Sequence, residues 1–187
     1  MTDPICRIRP NPEVAELRPY SPQRLDLPTD LVLDANEALN PDPDLGDRFA
    51  GVTVNRYPST AALERSLAER HEVDPPQVIV TAGADDALER ALRTVCAPGR
   101  RAVLTTPSFA MLPRYARLAG AEVVEIPWWR DAYPVDAVLD ASTADTAAIA
   151  VVSPNNPTGS AISRADLLRL SEARPETLIL LDHAYAE

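Results

Sequence analysis

The stretch AAIAVVSPNNPTGSAISR, from Ala147 to Arg164, decides how this chain is read. Ala148 to Val152 form an unbroken apolar run, the pattern of a short strand buried on both faces. The run passes directly into Ser153-Pro154-Asn155-Asn156-Pro157-Thr158-Gly159. Two prolines, two asparagines and a glycine are more than a simple reversal of the chain needs. Pro154 and Pro157 limit the backbone around Asn156, so its amide is fixed before any ligand arrives. That amide can donate to a phenolate-like oxygen without bringing net charge. An ordinary Asn-Pro turn is the other reading of the same residues.

Outward from this stretch, strand-like and helix-like segments alternate. QVIVTAG reads as a strand over 78–81, and RAVLTTP as one over 102–105. AEVVEIP, TAAIAVVSP and TLILLD supply three more, the last two at 148–152 and 178–181. Helices are expected in STAALERSLAERHEV, ADDALERALRTVCAPG, SFAMLPRYARLAG, PVDAVLDAS and SRADLLRLSEAR. The second has apolar residues at 84, 87, 88, 91, 92 and 95 and stops at Pro98-Gly99. The third ends at Gly120, and Pro113 leaves its first turns open. Ser163 is the N-cap of the last, with Asp166 at the capping-box position. Short apolar strands alternating with helices imply an α/β fold, a mostly parallel sheet covered by helices on both faces in three layers. Residues 1–50, rich in proline and charge, read as an N-terminal arm, and 51–187 as the domain.

Composition narrows the partners. The formal charge is -10, which disfavours nucleic acid and anionic membranes. No apolar run reaches a membrane span, and the first residues lack the apolar core of an export signal. Cys6 and Cys96 form no C-x-x-C pair, a reducing cytoplasm is the simplest setting, and no metal site is read from the sequence. All 18 basic residues are arginine; there is no lysine.

In open α/β sheets, ligands bind beyond the carboxyl ends of the strands. The unusual residues cluster there. Gly83 to Asp86 open a helix, where free N–H groups and the helix dipole suit an anion. A plain strand-to-helix turn is equally compatible with them. Ser108-Phe109 follow the second strand, and Phe109 can face a flat ring or serve the core. Asp182 ends a buried strand, where a carboxylate needs a cation or several donors. A helix cap or a partly solvated loop acid is the alternative. A pyridinium nitrogen is a fitting partner, and Tyr185 can reach the same ligand. His183 reads as structural or peripheral, and Trp128-Trp129 as packing.

SPNNPTG, DHAY and GADDALER together resemble the pyridoxal-phosphate enzymes of fold type I, aminotransferase class I/II. LDANEALNP and NRYPST resemble the histidinol-phosphate aminotransferase branch. The resemblance covers nearly the whole chain in the family's motif order. It implies that the backbone at Ala84 and Asp85 holds the phosphate of pyridoxal 5'-phosphate and that Phe109 stacks on its ring. It implies that Asn156 and Tyr185 bond the ring 3-oxygen and that Asp182 pairs with the ring nitrogen. Tyr57 would reach the phosphate of a neighbouring subunit in a homodimer, and Tyr20 and Asn36 would face the substrate. His183 departs from the family's usual glutamate. The implied reaction moves an amino group between histidinol phosphate and 2-oxoglutarate in histidine biosynthesis. Decarboxylation of a phosphorylated amino acid and aromatic amino-acid transfer are the alternatives within the class.

The family also implies a Schiff-base lysine on a strand beyond Asp182, followed by a small C-terminal domain. These 187 residues contain no lysine, so no catalytic residue is assigned and the chain alone is expected to be inactive. It reads as the N-terminal half of such an enzyme, an incomplete large domain truncated before that lysine. A half completed by a complementing C-terminal chain and a non-catalytic remnant are the other readings. The family's sheet order, 3-2-4-5-6-7-1, implies that the strand at 78–81 lacks its neighbours and exposes an apolar face.

Overall fold

The computed structural model describes residues 44–50 and 57–186. They fall into two compact units that divide between Val80 and Thr81. In the first lie α1 (Leu45–Phe49), α2 (Ala61–His71) and a 3-10 turn, Pro75–Gln77. Thr60 at the N-cap of α2 donates its hydroxyl to Glu64 Oε1 at 2.9 Å. The other Glu64 contact corrects the sequence reading. Residues 78–80 are extended but belong to no sheet, and the N–H of Val80 goes to Glu64 Oε1 at 3.2 Å. A side chain therefore takes a donor that a neighbouring strand would have taken. The segment 78–81 is not a strand, but it lacks sheet neighbours and leaves Ile79 68% exposed, as the resemblance implies.

The second unit, 81–186, carries all the expected α/β layering. Its helices are α3 (Gly83–Val95), α4 (Met111–Leu118), α5 (Val135–Ala141) and α6 (Arg164–Ala173). Its strands are β1 (Arg101–Thr106), β2 (Glu122–Pro127), β3 (Thr146–Val152) and β4 (Leu178–Asp182). They form one parallel sheet in the order β2-β1-β3-β4. This is the 3-2-4-5 part of the order that the family resemblance implies.

Every residue of β3 is buried, because alternate side chains enter two different cores. Ala148, Ala150 and Val152 pack with Leu88 and Leu92 of α3 and with Leu112, Tyr115 and Ala116 of α4. Ile149 and Val151 face the other way, toward Val135 and Val138 of α5 and Leu170 of α6. A bulge at Ala147 shifts the β1–β3 register between Arg101 and Ala102. Trp128 closes the second core edge-on to Tyr133, 5.1 Å between ring centres, and its Nε1 donates to the Asp131 carbonyl at 2.9 Å.

Helix ends follow local chemistry. Ser163 Oγ accepts from Asp166 N at 3.0 Å and donates to Asp166 Oδ2 at 2.6 Å, the cap expected from sequence. Pro113 sits at the third position of α4, where a helix leaves N–H groups without carbonyl partners, so its ring costs no bond. Arg174, just beyond α6, donates through Nη2 to the Leu139 and Ser142 carbonyls at 2.8 and 3.0 Å, closing the end of α5. Gly120 turns the chain from α4 into β2 at φ +86, and a Cβ there would lie 2.8 Å from Pro98 Cδ. Gly120→Ala is expected to cost about 1–3 kcal/mol from the left-handed backbone and the collision. Gly120→Asn should do no better, because the collision remains. Urea unfolding of the two variants checks this.

Candidate functional site

Three loops at the carboxyl ends of β1, β3 and β4 meet through side chains. In the parallel register Asp182 lies opposite Val152, and its carbonyl accepts from Ser153 N at 2.9 Å. The last residue of β4 is thus locked to the first residue of the Pro-Asn-Asn-Pro turn. Asp182 is only 8% exposed. Its Oδ1 accepts from Ala184 N at 2.9 Å, which bends the chain sharply after the strand. Among the described residues no basic side chain pairs with this carboxylate. A carboxylate so placed suits a cationic partner.

The bend returns Tyr185 toward the neighbouring turn, where its hydroxyl accepts from Asn156 Nδ2 at 3.3 Å. A phenol and an amide, both able to donate, therefore share one spot beside Asp182. His183 points its side chain to solvent. Phe109, half-buried after β1, packs against the α3–α4 core. Its neighbour Ser108 donates to Asn155 Oδ1 at 2.7 Å, which ties the loop after β1 to the loop after β3.

Asn155 was marked in the sequence only by its place after a strand. It is 3% exposed, and its Nδ2 donates to the Pro107 carbonyl at 2.9 Å and to Thr158 Oγ1 at 2.8 Å. Its own backbone carbonyl accepts from Gly159 N at 2.7 Å, with Gly159 at φ +73, and its N–H reaches the Ser160 carbonyl at 2.7 Å. The first asparagine of the pair serves the interior of the turn, and the second faces outward.

At the start of α3, Ala84 and Asp85 are exposed. Gly83 adopts φ +82, and its N–H goes to the Thr81 carbonyl at 2.9 Å. The Ala82 N–H goes to Asp86 Oδ2 at 3.0 Å, and Arg90 Nε holds Asp86 Oδ1 at 2.6 Å. The Ala82 N–H first, and then Arg90, keep the Asp86 carboxyl below the usual carboxylate range. The N–H groups of Ala84 and Asp85 lie in the first helical turn, which has no intrahelical acceptors to offer them. An anion is the natural partner of such a turn. Tyr57 is fully exposed and lies in the other unit, and Tyr20 and Asn36 lie outside the described residues.

The described residues thus present a buried carboxylate at Asp182, the bonded pair Asn156 and Tyr185, and an exposed first helical turn at 84–85. The comparisons with known proteins identify the family. The family model for aminotransferase class I and II matches residues 24–187, and the chain belongs to this family, whose cofactor is pyridoxal 5'-phosphate. A histidinol-phosphate aminotransferase of Cereibacter sphaeroides is 35% identical over 96% of this chain and 52% of its own length. Among solved structures, N-succinyldiaminopimelate aminotransferase from Mycobacterium tuberculosis superposes with a TM-score of 0.68 at 31% identity. That match covers 75% of this chain and 40% of the other. Aspartate aminotransferase from Thermus thermophilus gives 0.62 at 28% identity over 74% and 38%. The chain spans about half the length of the curated relatives it matches.

Tyr115 of α4 neighbours Asp85 in the first turn of α3. Burial first, and then the neighbouring Asp85 carboxylate, push its phenol up to about 12 from an ordinary value of 10.0. The folded state keeps this proton to higher pH than the unfolded chain does. The stability it contributes is therefore complete below pH 10.0 and lost as pH rises through about 12. Asp85→Asn should lower the Tyr115 midpoint while leaving it above the ordinary value, since burial persists. Ultraviolet titration of the phenols measures both.

Proposed function

We propose that this chain forms the N-terminal part of the large domain of a pyridoxal-phosphate-dependent aminotransferase and supplies most of its cofactor contacts. The observation that carries the reading is Asp182, buried without a cation beside the Asn156–Tyr185 pair. Its negative charge would keep a pyridine nitrogen protonated, and the cofactor, when bound, supplies the electron sink for amino transfer. Asn156 Nδ2 and the Tyr185 hydroxyl would donate to the ring 3-oxygen, with Phe109 against the ring. The N–H groups of Ala84 and Asp85 would take the phosphate, Asp86 being already neutralised by Arg90. In this reading residues 1–50 are an arm and the cofactor domain begins at 51. Tyr20 and Asn36 would face the substrate, and Tyr57 would reach the phosphate of a second subunit in a homodimer.

The parent reaction we infer is transfer between histidinol phosphate and 2-oxoglutarate in the cytoplasm. It is supported by the names of relatives such as the Cereibacter protein and by the sequence pattern. The 187 residues, having no lysine, are expected not to complete that reaction without a complementing C-terminal half. A bacterial strain lacking histidinol-phosphate aminotransferase should not regain growth without histidine on receiving this chain alone; regained growth would reject the expectation.

Cofactor binding is tested directly by calorimetry with pyridoxal 5'-phosphate. Asp182→Asn should weaken it about 10- to 100-fold, the range carried by a charged hydrogen bond of ~1.5–3 kcal/mol. His183→Ala should leave it unchanged. Equal affinities for the wild-type protein and Asp182→Asn would remove Asp182 from the site.

A further inference from the structure

Asn155 belongs to no assigned role, yet its side chain makes three hydrogen bonds at the carboxyl edge of the sheet. Its amide meets groups from two loops that are far apart in sequence. From the loop after β1 come the Pro107 carbonyl at 2.9 Å and the Ser108 hydroxyl at 2.7 Å. From its own turn comes Thr158 Oγ1 at 2.8 Å. The oxygen accepts once and the nitrogen donates twice, so both amide hydrogens are used. At 3% exposure, water cannot replace a bond that is lost.

The position of this amide in the chain gives it its meaning. Ser108 directly precedes Phe109, and Asn155 directly precedes Asn156. The brace therefore joins the two residues that stand immediately before the proposed ring-stacking and ring-oxygen groups. A bond chain of Phe109, Ser108, Asn155 and Asn156 leaves those two side chains little freedom to separate. We propose that Asn155 is a positioning residue that sets the distance between Phe109 and Asn156, and with it the width of the slot for a flat heteroaromatic ring. The ring assignment rests on the cofactor reading above; the brace does not. Asn155 touches no ring atom in this scheme, and it acts only through its neighbours.

The brace has a ligand-free signature. In Asn155→Ala, amide hydrogen exchange should rise about tenfold or more at 108–110 and 156–160. The centre of β3 and α6 should keep their wild-type rates. Should Asn155→Ala not fold, Ser108→Ala removes one of the two bonds that cross between the loops and should show the same local pattern more weakly. Exchange that rises uniformly, or not at all in these loops, overturns the brace.

Its role at the site is read from two probes measured on the same protein. Pyridoxal 5'-phosphate should bind the variant about tenfold more weakly, whereas inorganic phosphate, which needs only the turn at 84–85, should bind as before. Equal loss for both probes, or none for either, overturns the positioning role. If the wild-type protein binds neither probe, the cofactor reading fails, and the exchange rates alone judge the brace.

Discussion

A strand buried on both faces can carry polar chemistry only at its ends. That constraint on β3 organises this molecule. Its seven residues are all buried, with Ile149 and Val151 in one core and Ala148, Ala150 and Val152 in the other. The polar atoms of the turn that follows must be satisfied at the sheet's carboxyl edge, and the partners within reach are the loops after β1 and β4. Ser153 bonds to Asp182, Asn155 to Pro107 and Ser108, and Asn156 to Tyr185. The site is assembled by the same bonds that finish the sheet.

Electrostatics at this edge run against the overall charge. A chain of net charge -10 gives an anionic ligand no long-range attraction. Local neutralisation compensates. Arg90 covers Asp86, whose other oxygen is already tied to the Ala82 N–H. Asp85 stands beside a tyrosine that stays protonated. Of the two acids of the first α3 turn, Asp86 is thus neutralised within the fold, and backbone donors of that turn remain to meet an anion.

Much of this was legible in the sequence, for identifiable reasons. The apolar runs of β1 and β3 and the stripe of α3 announce their burial, whereas Leu178–Leu181 of β4, equally apolar, are only half-buried. Ser163 and Asp166 announced a cap because capping depends only on residues three apart. The segment 78–81 has the composition of a strand, but a strand exists only through a neighbour, and composition does not supply one. Asp182, Asn156 and Tyr185 stood out in the sequence because each lies just after a strand and because the motifs around them resemble the family's. The role of Asn155 was not legible, since its two key partners lie in a loop 47 and 48 residues away. Pro113 left the first turns of its helix open, and its place at the third position of α4 makes it harmless.

The alanines of β3 have a consequence for variation over time. Ala148 and Ala150 are 0% and 2% exposed, flanked by α3 and α4 at close approach. A larger side chain at either position has nowhere to go except into a helix that already fills the gap. Drift at those two positions is confined to residues of about the same size. The solvent face of α2, where Leu63 already sits in water, is open to almost any exchange.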